Sequence, residues 1–491
     1  MGCRWTGDAR AIDNTMADVT DPLPDPPLAT PAISAGESDP STAAAPAAAA
    51  PPTRAPEHVI TRRAVVGGVL YDLANTIFSM GVVSLYFSLW VADMAGTKSA
   101  DSVYGAITSI SMALIFVLSP LLGAMTDRVS RRMPFLVVST MLCVALTALL
   151  GRVGYYGTIL CFIIANMAYQ AGTQFYDAML PEVSTEQNRG RIGGLGVGIG
   201  YFGSYLAVGI GLVFPHAGKP FLFLLIAAAF LLLALPCMLF VKERGNPNPR
   251  PINWSMVRNS TRETIRTLRS GSEYPGLLRF LIGRVFYTDS INTVIAFMGL
   301  FTVNVAIHSG LDKTAGETRA KIIMMSAVTS AIVGGLFWGW LTDRIGPKRA
   351  LNMVLMSWVG IFLTAGLLGL LGLPLWVMYV VAGAAGFSLG GVWSADRPYM
   401  LRLTPPHRIG EFYGLYGMVG RFSAVTGPAL WTLVFMLATR AFGCTALQAQ
   451  GLAVLVLLGM VIASYLILRP VSDAPRDWSK LAAGAVKEGA R

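Results

Sequence analysis

Twelve apolar runs, each about as long as a bilayer-crossing helix, leave this 491-residue chain few folds to adopt. They lie near residues 65–91, 103–125, 133–151, 156–180, 191–214, 220–241, 278–303, 320–341, 350–371, 374–398, 411–438 and 448–468. About 20 apolar residues cross some 30 Å of hydrocarbon as a helix, and a spanning strand needs only half as many. In lipid every backbone N–H and C=O must be bonded within the protein, so runs of this length predict helices. Composition agrees: 54% of residues are hydrophobic and 13% charged, where soluble domains carry roughly 25% charge. The fourth, seventh and tenth runs hold the most polar residues. The expected fold is an all-α membrane protein with twelve transmembrane helices.

The runs also repeat. Asp72-Leu-Ala-Asn75-Thr76 returns 217 residues later as Asp289-Ser-Ile-Asn292-Thr293. Thr126-Asp127-Arg128 returns after 216 as Thr342-Asp343-Arg344, and Gly190-x-x-x-Gly194-Leu195 after 220 as Gly410-x-x-x-Gly414-Leu415. One shared interval predicts a duplicated unit, hence two pseudo-symmetric six-helix bundles, a plan on which many secondary transporters are built. The expected domains are a Pro/Ala-rich disordered tail at 1–60, bundles at 61–241 and 278–469, a basic linker at 242–277, and a second tail at 470–491.

Charge sets the expected orientation. Arg62/Arg63, Arg128/Arg131/Arg132, Arg189/Arg191, Arg344/Lys348/Arg349, Arg402/Arg408 and Arg469 flank loops on one side. Segment 242–279 joins them with eight Lys/Arg against three Glu. The opposite loops hold isolated charges such as Lys98, Arg152 and Lys313. The positive-inside rule puts both termini in the cytosol, and the net charge of +11 then reflects loops and not nucleic-acid binding. Within the linker, Trp254, Val257, Ile265 and Leu268 share a helical face beside Arg258, Arg262, Arg266 and Arg269. That pattern reads as a surface-lying amphipathic helix or a solvated basic linker. MGCRWT fits an N-myristoylation pattern, and Met16 is an alternative start. The five cysteines have no ligand spacing, so neither metal nor disulfides are expected.

Two loops carry a family signature. GAMTDRVSRRMPF (123–135) and GWLTDRIGPKRAL (339–351) resemble the loops between helices 2 and 3 and helices 8 and 9 of the major facilitator superfamily. Longer strings, among them VLYDLANTIFSMGVVSLYFSLWV, RVFYTDSINTVIAF and EFYGLYGMVGRFSAVTGP, resemble the autophagy-related vacuole effluxer family and its bacterial relatives, over residues 65 to 435. The resemblance implies the major facilitator fold and, for the best-known members, export of amino acids. It also implies Leu-Ser-Arg where this chain reads Ser394-Ala-Asp396-Arg397-Pro398. A related group in the superfamily moves sugars with Na⁺ or H⁺. In superfamily signature loops the aspartate and basic residues bridge helix ends, which implies Asp127 with Arg128/Arg131 and Asp343 with Arg344/Lys348 as a cytosolic gate. Asp177 and Arg397, at repeat-equivalent positions, would pair across the bundles.

Depth singles out the other polar residues. Asp72 lies nine residues past Arg63 and Asp289 ten past Arg279, about 13–15 Å into the bilayer. Carboxylates there face a partner or a watery cavity, so Asp72 and Asp289, with Asn75 and Asn292 on the same faces, are either proton or cation sites or hydrogen-bonded helix glue. Asn166, Gln170, Gln174 and Asp177 form one polar stripe on helix 4, read as substrate contacts or interhelical bonds. Arg421 lies about 18–20 Å beyond the interface marked by Arg408. It needs an anion: Asp289, Asp72 or a substrate carboxylate. Arg284, five residues from Arg279, can reach the interface. No catalytic or cofactor motif is present.

The sequence therefore leads to a secondary transporter for a small polar solute, with amino acids first by resemblance and H⁺ or Na⁺ as coupling ion. A sugar/cation symporter and a non-transporting receptor or scaffold are the alternatives. A monomer is expected, in the plasma membrane of a bacterium or the vacuolar membrane of a fungus.

Overall fold

The computed structural model describes residues 60–96, 100–246, 249, 274, 276–474 and 478. The tail to residue 59, the start-site and lipidation readings, and the amphipathic segment 254–269 lie outside the described residues.

Among those residues there are twelve long helices. The first bundle holds α1 (Arg62–Ala95), α2 (Ala100–Arg128), α3 (Met133–Leu149), α4 (Gly154–Ala178), α5 (Arg189–Val213) and α6 (Lys219–Phe240). The second holds α7 (Leu277–His308), α8 (Lys313–Ile345), α9 (Pro347–Leu371), α10 (Trp376–Leu403), α11 (Ile409–Ala441) and α12 (Ala446–Leu468). Ten are long and apolar enough to cross a membrane. The exceptions are α3, apolar but only 17 residues long, and α4, whose Asn166, Gln170, Gln174 and Asp177 dilute its hydropathy. Of the three runs richest in polar residues, α7 and α10 still qualify.

The duplication is visible in the packing. In the first bundle α1 packs on α5 and α6, α2 on α4, and α3 on α4 and α6; in the second, α7 packs on α11 and α12, α8 on α10, and α9 on α10 and α12. Each bundle has its own apolar core, built around Phe162, Phe223 and Phe230 in one and Phe280, Trp358 and Tyr399 in the other. The bundles meet through α2 against α11 and α5 against α8.

These meeting helices approach closely because their contact residues have no side chain. A Cβ on Gly123 would lie 2.3 Å from the carbonyl oxygen of Gly410, and one on Gly194 would lie 2.3 Å from that of Gly335. Small residues let backbones touch where lipid offers no hydrophobic drive between helices. Both contacts lie towards the arginine-rich end, where the bundles are sealed together. Within the first bundle, Gly196, Gly200 and Gly203 of α5 likewise seat α1 at Asp72, Thr76 and Leu73. A π-helical stretch, Ser79–Tyr86, interrupts α1 above this seat, and the Tyr86 hydroxyl donates to Ala207 O on α5 at 3.0 Å.

Candidate substrate cavity

Between the bundles lies a cavity of about 530 Å³. At its arginine-rich end Arg397 of α10 enters between two carboxylates of the opposite bundle. Its Nη1 is 3.3 Å from Asp72 Oδ1 on α1, and its Nε is 3.1 Å from Asp177 Oδ1 on α4. All three residues line the cavity, and both carboxylates are buried. The hydroxyl of Tyr176 lies 2.8 Å from Asp72 Oδ2 and 2.8 Å from Gly68 O, so its single proton serves one of them. A Cβ at Gly196 would stand 2.1 Å from Asp72 Oδ2, so a glycine is what gives this carboxylate its seat. Sequence spacing pairs Arg397 with Asp177 and sets Asp72 apart as a deeper site; the structure joins all three in one ion cluster.

Deeper in the cavity, Arg421 of α11 also crosses to the first bundle, but onto neutral acceptors. Its Nη2 donates to Gln170 O at 2.9 Å, and its Nη1 reaches Gln174 Oε1 at 3.5 Å and the Ser119 hydroxyl. Its Nε is buried without a hydrogen-bond partner. Arg421 forms no ion pair among the described residues.

Of the three anions open to Arg421, neither Asp289 nor Asp72 is paired with it. Asp289 accepts a hydrogen bond from the Thr426 hydroxyl at 2.9 Å and abuts Gly427. Positions 421 and 426 differ by about 140° around α11, so the carboxylate and the guanidinium sit on different faces of that helix. Asp289 does not line the cavity, whereas Asn292 and Asn75 do. The Asn75 Oδ1 is buried with no hydrogen-bond partner among the described residues. Of the α4 stripe, Gln170, Gln174 and Asp177 face the cavity, while Asn166 donates to Ser111 Oγ at 3.0 Å as an interhelical bond.

Arg284 does not reach the interface. It is 3% exposed; its Nε donates to Asp396 Oδ2 at 3.0 Å and its Nη1 to Tyr416 O at 2.9 Å, with the guanidinium 3.5 Å above the Tyr416 ring. The Tyr416 hydroxyl donates to the same Asp396 oxygen at 2.9 Å. The inward pairing wins because a buried acid on α10 lies within reach. Sequence reasoning missed this pair, although the departure at Asp396 was its signal: an extra buried acid needs an extra cation. Arg284→Leu should lower stability by about 3–5 kcal/mol, since it strands Asp396. Arg284→Leu/Asp396→Leu should recover most of that in thermal unfolding of purified protein.

The signature loops use partners other than those expected. Asp127 accepts the backbone N–H of Gly410 and of Glu411, each at 2.7 Å, and pairs with Arg132 at 2.8 Å. Asp343 mirrors it, accepting from the N–H of Gly190 at 2.6 Å and Arg191 at 2.8 Å. Each aspartate thus caps a helix of the opposite bundle, α11 or α5. The orphan N–H groups and positive end of a helix N-terminus favour a carboxylate, whereas Arg128 and Arg344, one residue on, point to a different face of their helices. Arg344 stacks on Trp340 and Lys348 Nζ donates to Arg469 O at 2.9 Å. Arg131 is exposed.

Two pseudo-symmetric bundles sealed by reciprocal aspartate caps around a charged cavity define a multi-pass integral membrane transporter of the major facilitator superfamily. The family described as vacuole effluxer Atg22 like matches residues 88–466, and the chain belongs to it. An MFS-type transporter, YxiO of Bacillus subtilis, is 25% identical over 84% of this chain and 97% of its own length. The human organic anion transporter MFSD10 superposes with a TM-score of 0.63 at 17% identity, over 84% of this chain and 100% of that one. The proton:xylose symporter XylE gives 0.63 at 14% identity, over 86% and 98%. At these identities the two solved structures support the fold alone.

Proposed function

We propose that the chain is a secondary transporter that moves zwitterionic amino acids by alternating access, coupled to a proton or cation, and is not an enzyme. The observation that carries this reading is the charge layout of the cavity. Arg421 supplies a guanidinium with no acidic partner among the described residues, while Asp72 and Asp177 share one Arg397 and leave one negative charge in excess. Arg284 is already neutralised by Asp396. Gln174, bonded to Arg421, and Asp177 are three residues apart on α4, about 4.5 Å of helical rise. That separation suits a carboxylate at Arg421 and an ammonium group, or a coupling proton, at the Asp72/Asp177 cluster. The unpartnered Asn75 Oδ1 is a further acceptor for the ammonium group.

The arginine-rich end faces the cytosol on this reading, both termini with it, and the sealed state is the outward-facing one. Asp127 and Asp343 then act as gate latches, with Arg397 as the lock nearest the substrate. Arg128, Arg131, Arg344 and Lys348 contribute to loop charge more than to the latch. Asp289 and Asn166 act as packing groups in this state, and Gln170, Gln174 and Asn292 as wall contacts. The bundles correspond to residues 61–241 and 278–469. The membrane is the plasma membrane in a bacterial setting and the vacuolar membrane in a fungal one, and the unit is a monomer.

A sugar/cation symporter is the second reading, favoured by the amide groups of Asn75, Gln170, Gln174 and Asn292 that line one cavity from both bundles. Counterflow by purified protein in liposomes decides between them, screened over amino acids, their amides and neutral sugars under imposed pH and Na⁺ gradients. Exchange of amino acids, with none for amidated analogues or sugars, is the expected result. Sugar flux alone would replace this proposal with the second reading, and no flux of either class would favour a receptor or scaffold.

A further inference from the structure

At the arginine-rich end the bundles enclose a second cavity, of about 470 Å³. Three arginines of its wall come from separate places in the fold: Arg189 opens α5, Arg244 follows α6, and Arg402 lies near the end of α10 in the opposite bundle. Arg189 is within electrostatic range of both others. Closing this end therefore gathers like charges across the bundle boundary.

The carboxylates in the same wall are largely committed. Asp127 caps α11 and holds Arg132. Glu243 accepts the backbone N–H of Arg132 and of Met133 at the start of α3. Glu182 accepts from the backbone N–H and Nε of Arg244. Two of these acids are thus spent on helix N-termini, whose partial positive charge they offset. Glu186 is within range of Arg189, but its side chain is 51% exposed and lies 3.9 Å from Arg402. Arg402 also touches Asp473, at 3.6 Å between the charged groups. Arg189 is left over: it forms no ion pair among the described residues, and its Nε is buried without a partner.

We propose that this vestibule is a regulatory anion site that takes a phosphate group between Arg189 and Arg402, and that its occupancy holds the arginine-rich end shut. A bound oxyanion turns repulsion between the guanidinium groups into charge-assisted hydrogen bonds. Because it touches both bundles only when that end is closed, its differential affinity favours the closed state. The phosphate can belong to a soluble molecule or to a lipid headgroup, and the chemistry of recognition is the same.

Trp478 lines the vestibule and serves as a built-in reporter. Full-length purified protein is titrated with inorganic pyrophosphate, following tryptophan fluorescence and thermal unfolding, with Trp478→Phe isolating the signal from the other tryptophans. The expected result is a saturable signal lost in Trp478→Phe and a Tm rise of about 2 °C at ten times Kd. Arg189→Gln and Arg402→Gln should each weaken binding about tenfold or more, while Arg189→Lys, which keeps the charge, should retain part of it. In nanodiscs, phosphatidylglycerol that reproduces the Tm rise and blocks pyrophosphate, where phosphatidylcholine does neither, identifies the lipid as the source. The proposal is overturned if neither probe binds, if Arg189→Gln binds as well as wild type, or if chloride at equal ionic strength gives the same shift. No transport substrate is present in these measurements, so their failure leaves the amino-acid reading untouched.

Discussion

Arg421→Met should abolish amino-acid binding, by about 100-fold or more, while leaving Tm at or above that of the wild type. The two halves of this expectation have one cause. Among the described residues the guanidinium of the closed structure has only neutral acceptors, Gln170 O, Gln174 Oε1 and the Ser119 hydroxyl, and its Nε has none. A buried cation held this way is costly by several kcal/mol. Methionine fills similar space without the desolvation penalty, so stability is expected to hold or rise. A group that costs stability and is kept at a cavity wall has the profile of a binding residue. Isothermal binding and thermal unfolding on the same preparation test both halves. If Arg421→Met lowers Tm by many degrees and binding falls only in proportion to the folded fraction, Arg421 is a structural strut between α11 and α4. Arg284→Leu is the control within the same cavity, because there the arginine has an acid partner and its loss should destabilise.

Reversing the lock should have an effect of similar size on flux. Arg397→Asp puts a third carboxylate beside Asp72 and Asp177, replacing two attractions of 3.3 and 3.1 Å with two repulsions. Transport in liposomes should fall at least about 100-fold, since breaking a buried pair costs about 3–5 kcal/mol. The sealed end should also open, which maleimide labelling of a cysteine placed at Thr126 would report. Asp177→Arg in the same chain restores one ion pair, so the double mutant should regain part of the flux. Full recovery is not expected, because Asp72 on α1 keeps an aspartate neighbour where it had an arginine. A double mutant no better than the worse single mutant would remove the pairing from the gating step.

The sequence determined most of the architecture, because membrane architecture is written in features of one dimension. Run lengths fix the helices, as backbone groups in lipid must be bonded locally, and the intervals of 216 to 220 residues fix two bundles. The same intervals align Asp127 with Asp343 and Asp177 with Arg397. Depth along a helix, counted from Arg63 and Arg408, was enough to mark Asp72 and Arg421 as residues in need of a partner. Which partner each one takes was decided only in three dimensions. Arg421 on α11 and Asp289 on α7 look complementary along the chain, yet they lie on different sides of α11, so one meets Gln170 and Gln174 while the other meets Thr426. Arg284 is near enough to Arg279 in sequence to reach water, but Asp396 and Tyr416 arrive from α10 and α11 to hold it inside. Asp127 and Asp343 turn from their adjacent arginines to the open N–H groups of helices 283 and 153 residues away. The physical reason is common to all three: burial at a given depth depends on position along one helix, whereas ion pairing depends on azimuth and on the approach of other helices, which the sequence of a single helix does not contain.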